Sequence, residues 1–136
     1  MEITILKQQG RVPVTVIQPH GDVDASNYAE LVSKARELFN AGARDFLVDL
    51  SKVPFMSSAG LVALHSIAMF LRGEPAIDPQ SGWAVLKSMD RSRGGGMQAH
   101  IKLLSPQEMV SETLDKAGFI QFFQVYTDLK KAVDSF

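Results

Sequence analysis

The side chains able to do chemistry in this chain are few, and two of them are adjacent. Ser57 and Ser58 follow the apolar run Phe46-Leu47-Val48-Asp49-Leu50 and precede a long apolar segment that starts at Ala59. This order places them in a strand-to-helix turn, where free backbone N–H groups and the positive end of the helix dipole favour an anion. Two roles suit a serine there. Its hydroxyl can cap the helix, or it can accept a phosphate, whose charge of about −1.5 to −2 at pH 7 the turn would tolerate. The residues alone leave both open, with Ser58 the first choice for modification and Ser57 the second.

A serine between a strand and a helix also invites a nucleophile reading. The G-x-S-x-G pattern needs glycine two residues before the nucleophile, where Ser58 has Met56, and no spacing ties His20, His65 or His100 to it as a base. No catalytic residue is therefore assigned, and the chain is not read as an enzyme. His20 beside Asp22 and Asp24 reads as a polar turn of solvated and capping side chains, so no metal is expected. Gly94-Gly95-Gly96 lacks the Lys-Ser/Thr of a phosphate loop and no G-x-G-x-x-G occurs, so no cofactor is expected either.

The elements that must carry these residues follow from periodicity. Ile3 to Lys7 and Val12 to Ile17 read as a β-hairpin around Gln9-Gly10, with Gly10 supplying tolerance of positive φ and Val12, Val14 and Val16 on one buried face. After Pro19-His20-Gly21, Asn27 and Glu30 fit a capping box for a helix whose Tyr28, Leu31, Val32, Ala35, Leu38 and Phe39 recur at helical spacing, ended by Gly42. Phe46 to Leu50 predicts a central strand covered on both faces. The next helix runs from Ser58 to about Arg72. Its wheel puts Leu61, Leu64, Ile67, Ala68 and Leu71 in the core, with Val62, His65 and Met69 on the opposite face beside Ser58. That face is expected to be an exposed partner contact, unless the segment that follows covers it.

Further on, His100 to Leu104 predicts another buried strand. Ser105-Pro106-Gln107-Glu108 predicts a capping box opening a helix that ends at Lys116-Ala117-Gly118. Phe122 to Val125 predicts a last strand, and Thr127 the cap of a final helix with Leu129, Ala132, Val133 and Phe136 inward. Strands alternating with helices imply an α/β fold: a mixed, largely parallel sheet of about five strands, the first antiparallel, with about four helices. Residues 73–99 interrupt the rhythm as a long, flexible insertion in which Trp83 to Leu86 would add a helical turn.

The 136 residues are 46% hydrophobic and 21% charged with a net charge of −1, which suits one domain with one core. With no cysteine, disulfide scaffolds and cysteine zinc sites are excluded. Charges of both signs are scattered, so no basic stripe for nucleic acid exists. No apolar run approaches the roughly 20 residues that span a bilayer. Met1-Glu2-Ile3-Thr4 does not open a signal peptide, so a cytoplasmic setting is expected.

Taken in order, several segments resemble the STAS domain family, and within it the bacterial anti-sigma factor antagonists. They are Gly21-Asp22-Val23-Asp24, Asp49-Leu50-Ser51, Met56-Ser57-Ser58-Ala59-Gly60-Leu61, Ser105-Pro106, Ala117-Gly118-Phe119, and Tyr126-Thr127-Asp128-Leu129-Lys130-Lys131-Ala132-Val133. The resemblance implies a single domain over residues 1–136 that works by partner switching. Its unphosphorylated form would capture an anti-sigma factor that is also a serine kinase, freeing a sigma factor. Phosphorylation of Ser58 would abolish binding until a PP2C-type phosphatase reverses it. Asp22, Asp24, Ser57, Ser58, Ala59, Gly60, Val62, His65 and Met69 are then the expected contacts. The family's Asp before the phosphoserine is Ser57 here. The alternative is a STAS module that is never phosphorylated and serves as an adaptor in a signalling or lipid-transport complex.

Overall fold

A computed structural model describes residues 1–73 and 97–136. The expected turn at Trp83 to Leu86 and most of the expected insertion lie outside the described residues. Five strands form one sheet in the order β1 (Glu2–Gln9), β2 (Pro13–His20), β3 (Phe46–Asp49), β4 (Ile101–Leu104) and β5 (Val125–Tyr126). β1 is antiparallel to β2 and every other pair is parallel. The helices among the described residues are α1 (Tyr28–Asn40), α2 (Ser58–Leu71), α3 (Glu108–Lys116) and α4 (Leu129–Asp134).

Alternation along the strands divides the interior in two. Phe46 and Val48 of β3, Ile17 of β2 and Ile101 and Leu103 of β4 face a main core shared with α1, α2 and α3. Leu47, Val14, Val16 and Leu104 face a smaller cluster closed by Ala132 and Val133 of α4. β2 is thus buried on both sides, where the sequence predicted one. Lys102 also points into the smaller cluster. Its ammonium donates to the Ser135 carbonyl at 2.9 Å and to Ser135 Oγ at 3.0 Å, and it stands 4.6 Å from the Phe136 ring centre.

Several local expectations are corrected. Gly10 is absent from the glycines at positive φ. Glycine serves there for close approach, because an added Cβ would lie 2.8 Å from Val133 Cγ1 and 2.9 Å from the Val133 carbonyl. Asn27 makes no cap bond through its side chain, and the Glu30 carboxylate instead takes the N-terminal ammonium at 2.7 Å. Nor do Ser105 and Glu108 form a capping box. Ser105 adopts φ +50, and α3 begins after Gln107, whose side chain donates to the Ser51 carbonyl at 2.9 Å.

The last strand is only Val125–Tyr126, because Phe119–Gln121 winds into a 3-10 turn after the left-handed Gly118 and buries Phe119, Phe122 and Phe123. The cap of α4 is Asp128, accepting from Lys130 and Lys131 N–H, in place of Thr127, and Leu129 is exposed. The Gly42 ending holds: at φ +115 it lets Ala43 N–H reach the Leu38 carbonyl at 3.0 Å.

The fit of Gly10 against Val133 predicts that Gly10→Ala destabilises the domain by about 1–3 kcal/mol, measured by urea unfolding, since backbone lies among the colliding atoms.

Candidate functional site

The candidate residues come from two loops at the carboxyl ends of the parallel strands β2 and β3, the end of an α/β sheet where ligand-facing loops gather. The loop after β2 carries Asp22 and Asp24, and the loop after β3 carries Ser57 and Ser58. Backbone bonds join them. Gly21 N–H donates to the Lys52 carbonyl at 2.9 Å, Val23 N–H to the Phe55 carbonyl at 3.0 Å, and Ser57 N–H to the Val23 carbonyl at 2.9 Å, giving an isolated parallel bridge between Val23 and Met56. Val23 and Met56 bury their side chains completely or nearly so, beneath the turn.

α2 sits directly on this pair. Gly60, in its first turn, is buried, and an added Cβ there would collide with Met56 Cγ and lie 3.2 Å from Val23 Cγ1. The glycine therefore lets the helix start close against the bridge. Ser57 is the N-cap, its Oγ accepting from Ala59 N–H at 3.2 Å and its carbonyl from Gly60 N–H at 3.0 Å. Ser58, the first helical residue, is exposed. The two serines thus separate into a capping residue and a solvent-facing one.

Asn27, which sequence reasoning placed at the cap of α1, organises the acidic loop. Its Oδ1 accepts from Asp24 N–H at 3.0 Å and its Nδ2 donates to the Asp22 carbonyl at 2.9 Å. Asp24 Oδ1 accepts from the Ser26 hydroxyl at 2.5 Å and from Ser26 N–H at 2.9 Å, and these bonds hold the Asp24 carboxyl below its ordinary pKa. Asp22 is exposed. Asp49 is a further positioning residue, with one carboxylate oxygen taking the Gln18 amide at 2.8 Å and the other taking Ser51 N–H at 3.0 Å. Its motif was visible in the sequence, but its partners were not.

The expected exposure of this α2 face is not met, and the other reading, that the segment after α2 covers it, lies outside the described residues. Val62, His65 and Met69 are 7%, 4% and 6% exposed. From Gly60 to Phe70 only His65 and Ser66 are polar, so no side of this stretch is suited to water and every residue in it is buried. The structure therefore brings Asp22, Asp24, Ser57, Ser58 and Ala59 together at the surface, with Gly60 beneath, and withdraws Val62, His65 and Met69. Two histidines are engaged elsewhere, His20 with Thr4 Oγ1 at 2.9 Å and His100 with Asp45 at 2.9 Å. Among the described residues no group of three His, Asp or Glu side chains could hold a metal ion, and no helix is long and apolar enough to cross a membrane.

A family model for the STAS domain matches residues 4–74, more than half of the chain, and the protein belongs to that family. Similar solved structures are antagonists of anti-sigma factors. One, proposed as such, is from Thermotoga maritima (TM-score 0.66, 17% identity, covering 89% of this chain and 85% of that one). Another is from Mycobacterium paratuberculosis (0.64, 17%, 97% and 92%). The unphosphorylated form of SpoIIAA is a third (0.52, 18%, 98% and 96%). At these identities the likeness is one of fold. A search of curated proteins produced no match.

Two outcomes test the site's construction. Gly60→Ala is expected to destabilise the domain by about 1–3 kcal/mol in urea unfolding, because the new methyl meets buried Met56. Ser26→Ala is expected to raise the Asp24 pKa toward its ordinary value, read by NMR titration. The sign is fixed by the depression: whatever stability Asp24 contributes is present above its unfolded pKa and is lost as pH falls through the folded one.

Proposed function

We propose that this STAS domain is an anti-sigma factor antagonist that works by partner switching, with Ser58 as the switch. The observation that carries the reading is the division of labour at the start of α2. Ser57 is committed to the cap while Ser58 is exposed on the first helical turn, so a phosphate can be added at Ser58 without removing a hydrogen bond of the fold. The dianion would meet the positive end of a long helix, so the domain stays folded while its surface charge is transformed. The unphosphorylated surface of Asp22, Asp24, Ser57, Ser58 and Ala59 would then dock an anti-sigma factor with serine kinase activity. The added charge would end that contact, and a PP2C-type phosphatase would restore it. The setting of such a cycle is the cytoplasm, where the kinase finds ATP. Likeness of fold to anti-sigma factor antagonists supports the choice of partner.

The test is to incubate the purified chain with Mg-ATP and each serine-kinase anti-sigma factor of the same organism, reading intact mass and binding. One phosphate is expected on the wild type and on Ser57→Ala, and none on Ser58→Ala. Ser58→Ala should retain the partner in the presence of ATP while the wild type releases it, and Ser57→Ala should lose about 1 kcal/mol of stability with its cap. A folded chain that takes no phosphate from any kinase would instead mark a constitutive adaptor of a signalling or lipid-transport complex.

A further inference from the structure

Beside the serine turn lies a groove of about 340 Å³ lined by Pro54, Gln107, Glu108, Met109 and Glu112. It is preformed, because the Gln107 side chain donates to the Ser51 carbonyl at 2.9 Å and so ties the start of α3 to the loop that leads to Ser57 and Ser58. Met109 and Pro54 give it exposed apolar surface. Met109 is 55% exposed, more than any other large hydrophobic side chain among the described residues, and Pro54 is exposed beside it. Its rim is anionic. Glu108 and Glu112 are four residues apart on α3, the spacing that puts two side chains on one face and makes like charges repel. Among the described residues neither has a Lys, Arg or His within ion-pair distance.

A methionine left in water beside two carboxylates that have no ion-pair partner among the described residues is complementary to one kind of side chain: an alkyl stem ending in a forked cation. We propose that this groove receives an arginine side chain of the partner protein, its methylenes lying on Met109 and Pro54 and its guanidinium spanning the carboxylates of Glu108 and Glu112. A guanidinium presents five donors in a plane and is weakly hydrated, so it bridges two carboxylates better than a compact ammonium does. The inference rests on the proposed partner-switching role, which it deepens: the groove would be a second anchor adjoining Ser58 and untouched by its phosphorylation.

Two experiments separate this groove from the switch. In the first, N-acetyl-arginine amide is titrated into the isotopically labelled full chain at low salt and followed by NMR, with N-acetyl-citrulline amide as the neutral control. Shifts are expected in residues 51–55 and 107–112 for the arginine compound, and are expected to be absent for citrulline and in Glu112→Gln. Equal shifts from both compounds, or none from either, would overturn the proposal. In the second, binding of the kinase that phosphorylates Ser58 is measured for Glu112→Gln and Met109→Ser, both exposed positions away from the core. Each is expected to weaken binding about fivefold, with a reduced dependence on salt for Glu112→Gln. Binding abolished by phosphate at Ser58 but indifferent to both variants would sink the groove and leave the switch intact. If no kinase binds while the arginine compound still seats, the switch reading falls and the groove's preference for arginine stands.

Discussion

The site depends on a short piece of backbone pairing. Three N–H groups, of Gly21, Val23 and Ser57, donate across the gap between the loop after β2 and the loop after β3, and the resulting Val23–Met56 bridge is the platform on which α2 begins. Without it the two loops would be independent surface segments, each free to sample its own conformations. With it, an acidic turn and a serine turn form one surface, and the buried side chains of Val23 and Met56 anchor that surface in the core. Gly60 completes the arrangement, since only a residue without Cβ lets the helix start so close to Met56.

The rest of the sheet serves that geometry by being covered on both faces. α1, α2 and α3 bury one side, and α4, only six residues long, closes the other. A helix that short has little stability of its own. It is held by the close seat of Val133 on Gly10 and by Lys102, whose buried ammonium is partnered by Ser135 and two aromatic rings. Hydrogen bonds and ring faces thus take the place of a carboxylate there, which limits the desolvation that an unpaired buried charge would otherwise suffer.

What could be read from the residues was what depends on neighbours along the chain. The order of strands and helices, the burial of Phe46 to Val48, the start of α2 at Ser58 and the glycine stop at Gly42 all follow from periodicity and local backbone preference, and all are present. The expectations that failed involve side chains with a choice of partner. Asn27 and Ser105 have good local capping partners in sequence, yet Asn27 turns back to the Asp22–Asp24 loop and Ser105 gives way to Gln107, which reaches another loop altogether. Phe122 and Phe123 suit a strand by propensity, but burying their rings in the core won over extending the ladder.

The candidate site divides along the same line. Its location at the start of α2, and the serine pair at its centre, were determined by the sequence alone, because a strand-to-helix turn is set by the change from one hydrophobic period to another. Which serine caps and which faces water, which backbone bonds join the acidic loop to the serine turn, and that Val62, His65 and Met69 are withdrawn from the surface were decided only by the tertiary structure. The reason is physical: exposure and hydrogen-bond partnership depend on what is brought near from elsewhere in the chain, and periodicity records only which residues share a side.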